Sequence, residues 1–146
     1  MPSPGCLVAI IAPILAVLLT ASVLMAMHHR QESANDRNEK AALRRTVTQA
    51  RSYAHDVLAK APDDYPGRKV VRGIAERHDG RLISYSYVRS GGSLTITVRF
   101  FAEYEDTSMF GVSYSRAHRC YSFEFRRDAE GGLRERTTPL EKCDVA

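Results

Sequence analysis

The stretch that decides the fold is "LTITVRFFAEYE", residues 94–105. Leu94, Ile96, Val98, Phe100, Ala102 and Tyr104 alternate with Thr95, Thr97, Arg99, Phe101 and Glu103. A period of two sustained over this length specifies a strand with one buried and one wetted face. Working outward, "LISYSYV" at residues 82–88 is rich in Tyr and Ile, and "SGGS" at 90–93 supplies a hairpin turn between the two runs. On the other side, Tyr121, Phe123 and Phe125 alternate with Ser122, Glu124 and Arg126. The apolar parity changes between these segments, since Val112 and Tyr114 share parity with Cys120, and this predicts a bulge near residues 117–119. A turn at 128–132 and a short edge strand at 133–138 follow, with Pro139 at the edge or exit.

Two of the three cysteines flank this sheet region. Cys120 begins the strand 120–126 and Cys143 lies in the polar tail "LEKCDVA". A thiol in such a tail has no core to join, so a bond to Cys120 explains it, and it restrains a tail too polar to dock by burial. Tyr121, Phe123 and Phe125 take the core face, so Cys120 points to the other face and the bond ties the tail across it. Disulfides persist in oxidising compartments and are rare in the cytosol. A metal reading of His118, Cys120 and Cys143 lacks a fourth ligand, and no metal or other cofactor is expected.

N-terminal to the sheet the period changes. Leu43, Val47, Ala50, Ala54, Val57, Leu58 and Ala61 recur every three or four residues and stop at Pro62. This is an amphipathic helix that begins within "SANDRNEK" at 33–40, with Asn35 or Asp36 as cap. Its Ala-rich stripe favours packing on its own sheet over pairing with a second chain. Residues 68–78 carry Val70, Val71, Ile74 and Ala75 and predict a short second helix. Two helices followed by three or four antiparallel strands is an α+β order, arranged as in cystatin-like or NTF2-like folds.

Residues 6–27, "CLVAIIAPILAVLLTASVLMAM", contain no charge. Twenty-two uncharged, predominantly apolar residues suffice to span a bilayer, at about 1.5 Å per residue. The length, and the uncharged side chains of "MPSPG", favour a retained anchor over a cleaved signal. The expected organisation is a short tail at 1–5, a transmembrane helix at 6–27, a juxtamembrane linker at 28–34 and an extracytoplasmic α+β domain at 35–146. Orientation is in conflict. Arg30, Arg37, Lys40, Arg44 and Arg45 follow the span and no Lys or Arg precedes it, which the positive-inside rule assigns to the cytosol. That rule governs short loops, and the cysteine pair places the domain outside.

The single N-terminal span, the Ala/Arg helix, "LTITVRFFAEYE", "RCYSFEF" and the terminal "EKC" are similar to small single-pass, uncharacterised membrane-anchored proteins of high-GC Gram-positive bacteria. The resemblance implies an anchor and an envelope location, and implies no activity.

With 146 residues, a net charge of +4 and a pI near 9.1, the chain has a modest basic excess mixed with acidic residues. That balance suits an anionic membrane surface and gives no support to specific nucleic-acid binding. No nucleophile–base set, P-loop or metalloprotease signature is present. Two places are candidates for binding. One is the polar sheet face, with Arg99, Glu124 and Arg126 as its charged members. The other is an expected loop at 105–115 carrying Met109 and Phe110. The expected function is a membrane-anchored extracytoplasmic binding or accessory module, not an enzyme, with the bilayer and other envelope proteins as partners. The alternative is a filament subunit resembling type IV pilins, against which Ile10 stands where those subunits carry Glu, counted from Gly5.

Overall fold

The computed structural model describes residues 4–61, 64–89, 92–108, 110–128 and 132–143, with the side chains of 4–10 outside the description. Met109 also lies outside it. The architecture is α+β: helix α1 (Pro4–Ala59), helix α2 (Arg68–Arg77), then strands β1 (Gly80–Val88), β2 (Ser93–Ser108), β3 (Gly111–Arg127) and β4 (Leu133–Leu140). The strands form one antiparallel sheet in the order β1-β2-β3-β4.

Helix α1 is unbroken. At about 1.5 Å per residue its 56 residues run for about 84 Å. The expected linker at 28–34 is therefore helical, no new helix starts within 33–40, and Pro4 and Gly5 of the expected tail already belong to the helix. The polar segment keeps its helix because its side chains find partners there: Lys40 Nζ donates to Asp36 Oδ2 at 2.7 Å and His28 meets Glu32 at 3.2 Å, both one turn apart. The N-terminal part is long and apolar enough to cross a membrane, and among the described residues its apolar window from Ile11 onward is not buried against protein.

The second half of α1 crosses one face of the sheet. Its buried line is Ala42, Thr46, Ala50, Tyr53 and Val57, with Ala54 beside it and Ala61 buried just after the helix ends. Leu43, Val47 and Leu58, counted in the apolar stripe, are only partly buried. Thr46 replaces an apolar residue at the centre without leaving a polar atom stranded. Its hydroxyl donates to Leu43 O at 2.7 Å and meets Tyr121 Oη at 3.0 Å. Opposite lie Leu94, Ile96, Val98, Phe100, Tyr121, Phe123 and Phe125. Tyr53 packs its ring 4.8 Å from Phe123 and 5.7 Å from Phe100, and pairs of this kind contribute about 0.5–1.5 kcal/mol beyond area burial. Val71, Ile74 and Ala75 of α2 complete the core.

The bulge lies elsewhere than expected. β2 and β3 pair without a shift from Ser93↔Arg126 to Ser108↔Gly111, and the irregularity falls in β1 between Leu82 and Ser84. It leaves Leu82 opposite Val98 and Tyr85 opposite Ile96, so both face the core despite their odd spacing. The parity change in β3 has a different cause: Val112 and Tyr114 point away from the helix and are exposed. The expected loop at 105–115 is likewise strand almost to its tip, with Ser108 paired to Gly111. Gly111, at φ +142°, occupies a backbone region that L side chains rarely adopt. Gly80 opens β1 where a Cβ would stand 2.8 Å from the Phe100 ring.

Candidate functional site

The face of the sheet away from α1 is laid out by the strand registers. One row runs Arg81, Arg99, Cys120, Leu140; the next Ser84, Thr97, Ser122, Thr138; then Ser86, Thr95, Glu124, Arg136; then Val88, Ser93, Arg126, Arg134. Arg99 and Glu124 are thus separated by four residues along the strands, about 13 Å at 3.3 Å per residue. Glu124 and Arg126 instead serve each other, with Arg126 Nε donating to Glu124 Oε1 at 2.7 Å. Phe110 sits at the far tip of the hairpin, ten residues beyond Cys120 on β3, and is 99 % exposed. The residues singled out in the sequence therefore occupy three separate places. Met109 lies outside the described residues.

Of the three, the Arg99 position is the most developed. Cys120 and Cys143 are joined, with Cα atoms 5.4 Å apart. The bond carries the tail over the outer face just where β4 ends, and Cys120 is buried beneath it. Beside the bond is an open cleft of about 600 Å³ whose charged lining includes Arg99, Arg116, Arg119 and Lys142 against Glu39 and Glu141. Arg116 is already engaged, donating from Nε and a terminal nitrogen to Glu103 Oε1 at 3.0 and 2.9 Å. Arg99 Nε is buried and has no hydrogen-bond partner among the described residues. The cleft thus presents more positive than negative charge, which suits a carboxylate or phosphate.

Sequence reasoning found Arg99 but not the grouping of Arg119, Lys142 and Glu141 around it. The available signal was the disulfide itself, since Arg119 and Lys142 are the residues immediately before the two cysteines. His118, weighed as a ligand beside Cys120, packs its ring 6.2 Å from Phe101, and both neighbouring sulfurs are oxidised. Among the described residues no three His, Cys, Asp or Glu side chains are grouped to hold a metal ion.

Two other polar features belong to the scaffold. Burial pushes the Tyr53 phenol far above its usual range, and its hydroxyl has no hydrogen-bond partner among the described residues. Asp56 joins α1 to the end of α2, 3.0 Å from His78 Nε2, and this hydrogen bond holds its carboxyl below the ordinary value of 3.8.

The second half of α1 also protects an edge. Beyond Phe100 strand β2 has no β1 partner, because β1 begins at Gly80. Four helix side chains take over. Gln49 donates to Phe101 O at 3.0 Å, Arg45 to Glu103 O, Asn38 to Glu105 O at 3.0 Å and Asn35 to Thr107 O at 2.9 Å. Asn35 also accepts from Thr107 N at 2.9 Å and donates to Asp106 Oδ1 at 2.6 Å. Each carbonyl that a neighbouring strand would have filled is satisfied, and the edge is closed to pairing.

No protein-family model, curated protein or solved structure matches this chain.

Proposed function

We propose that this chain is a membrane-anchored, extracytoplasmic binding or accessory module of the cell envelope, and that it holds an acidic segment of another envelope protein in the cleft beside its disulfide. The observation that carries the reading is the Cys120–Cys143 bond. It belongs to an oxidising compartment, and it forms one wall of the basic cleft. We read the helix across one face of the sheet as a cystatin-like or NTF2-like arrangement, an analogy of architecture that implies no activity.

Compartment is the first test. In intact cells the expected outcome is digestion of the domain by added protease, retention of residues 6–27 in the membrane, and both late thiols resistant to alkylation until reduced. Digestion only after lysis, with both thiols freely alkylated, overturns the proposal. Cys143→Ser should abolish the mobility shift on nonreducing gels and lower stability by about 3 kcal/mol, the loop-entropy value for a crosslink of this span. For the partner, crosslinking in native membranes should yield one abundant product that Arg119→Glu removes.

The unbroken α1 favours a second reading, a filament subunit resembling type IV pilins, which also join an apolar helix to a sheet domain with a C-terminal disulfide. Recovery of the protein in filaments sheared from the cell surface would support it. Retention in the membrane after shearing favours the anchored module.

A further inference from the structure

We propose that the tip of the β2–β3 hairpin is a second membrane contact, and that Phe110 enters the headgroup layer of the bilayer spanned by the apolar half of α1. The inference rests on the anchored reading and adds a surface that the anchor does not include.

The level of the tip follows from the bonds between helix and strand. Gln49 is bonded to Phe101 and Asn35 to Thr107. Fourteen helical residues cover about 21 Å at 1.5 Å each, and six strand residues about 20 Å at 3.3 Å each. The two elements therefore run side by side, antiparallel and in step. The tip extends about two residues past Thr107, or about 7 Å, and reaches the level of Arg30 and Gln31. A groove lined by His28, Gln31 and Glu32 on one side and by Thr107, Ser108 and Phe110 on the other records the same alignment.

The apolar run ends at Met27. The tip thus stands about 5 Å beyond the end of the apolar segment, three or four residues along the helix. A bilayer of about 40–45 Å with a hydrocarbon core of about 30 Å leaves a polar layer of roughly 5–8 Å on each side. Phe110, 99 % exposed, falls within it, whereas Val112, paired with Thr107 at the level of Asn35, stands about 12 Å past Met27 and outside it. Apolar side chains such as Phe bury at the boundary between this layer and the acyl chains. The hairpin is held at that height by the bonds from Asn35 and Asn38, so ordering it on the membrane costs little further entropy. Contact at two points, helix and tip, would fix rotation of the domain about the α1 axis. The basic cleft would then keep one bearing relative to the membrane.

The chain contains no Trp, so single substitutions give site-specific fluorophores. Full-length Phe110→Trp, Leu19→Trp and Val88→Trp proteins would be placed in phosphatidylcholine–phosphatidylglycerol vesicles whose acyl chains are brominated near the carbonyl end. Leu19 lies in the apolar segment and Val88 at the opposite end of the sheet. The proposal expects a blue-shifted emission at position 110 and quenching there several-fold stronger than at position 88. Equal quenching at 110 and 88, with position 19 strongly quenched, overturns the hairpin contact and leaves the anchor standing. An unquenched position 19 overturns the anchored reading and this proposal with it. Shielding of position 110 from aqueous iodide without quenching by the brominated lipid, rising with protein density, would assign the tip to a second copy of the chain and overturn the lipid contact.

Discussion

At its core end the β2–β3 hairpin turns Leu94, Ile96, Val98, Phe123 and Phe125 toward α1 and leaves Thr95, Ser122 and Glu124 outward. At its far end β2 keeps its apolar parity but β3 does not. Ala102, Tyr104, Asp106, Ser113, Ser115 and Ala117 share the helix side, whereas Val112 and Tyr114 face outward and Phe110 stands at the tip. The helix changes to match: opposite the core it offers Ala50, Tyr53 and Val57, and opposite the far end Ala42, Asn38 and Asn35. One hairpin is thus held by two kinds of interaction. Apolar burial holds the core end, at about 25 cal/mol per Å² removed from water. The far end has only the small cluster of Ala42, Ala102 and Ala117, and side-chain hydrogen bonds to an open strand edge add to its hold. The exposed Phe110, Val112 and Tyr114 of the far end are free to serve something other than the fold.

The largest expected effect follows from that division. Phe123 is wholly buried between Tyr53 and Phe100, and Phe123→Ala should cost about 3–5 kcal/mol in urea denaturation of the detergent-solubilised protein. Phe110→Ala removes a ring of the same size and should move stability by less than about 0.5 kcal/mol. A comparable loss for both would erase the distinction between the two ends and make the tip part of the core.

A smaller effect separates the two ends as folding units. Asn35 makes three hydrogen bonds to the far end, each contributing a net of about 0.5–1.5 kcal/mol. Asn35→Ala should lower the opening free energy of the Thr107 amide by about 1–3 kcal/mol in hydrogen exchange, with the Ile96 and Phe123 amides unchanged. Equal loss at Ile96 would show that the hairpin opens as one cooperative piece.

The core end was legible in the sequence because its signal is periodic and apolar, and α+β order, strand alternation and the cysteine pair all followed from residue type and spacing. The far end was not. Its strands carry polar residues on the helix side, and the aromatic parity change there resembled a bulge because alternation alone cannot separate an inverted face from a shifted one. The continuity of α1 was hidden for a related reason. Residues 28–40 lack an apolar stripe, and what keeps them helical is one-turn pairing and bonds to a strand more than sixty residues away. The cleft shared that obscurity, since Arg119 and Lys142 meet only through the disulfide. Among the candidate residues, Arg99 lines it and the Glu124–Arg126 pair does not.

The smallest effect concerns the join between α1 and α2 beneath the core end. His78 holds the Asp56 carboxyl below its ordinary value of 3.8, with Arg77 3.9 Å away adding attraction. A carboxyl whose folded pKa is depressed contributes stability that is fully present above its unfolded value and is lost as pH falls through the folded one. The contribution from Asp56 should therefore be intact at pH 6 and decline below about pH 4. The urea midpoint of the wild-type protein should fall over that interval more steeply than that of Asp56→Asn, and the two curves should converge at the acid end. Because the carboxylate is partly exposed, added salt should narrow the gap between them at pH 6. Parallel curves across the whole range would mean that the His78 contact does not survive in solution and that the α1–α2 join rests on Val57, Val71 and Ile74 alone.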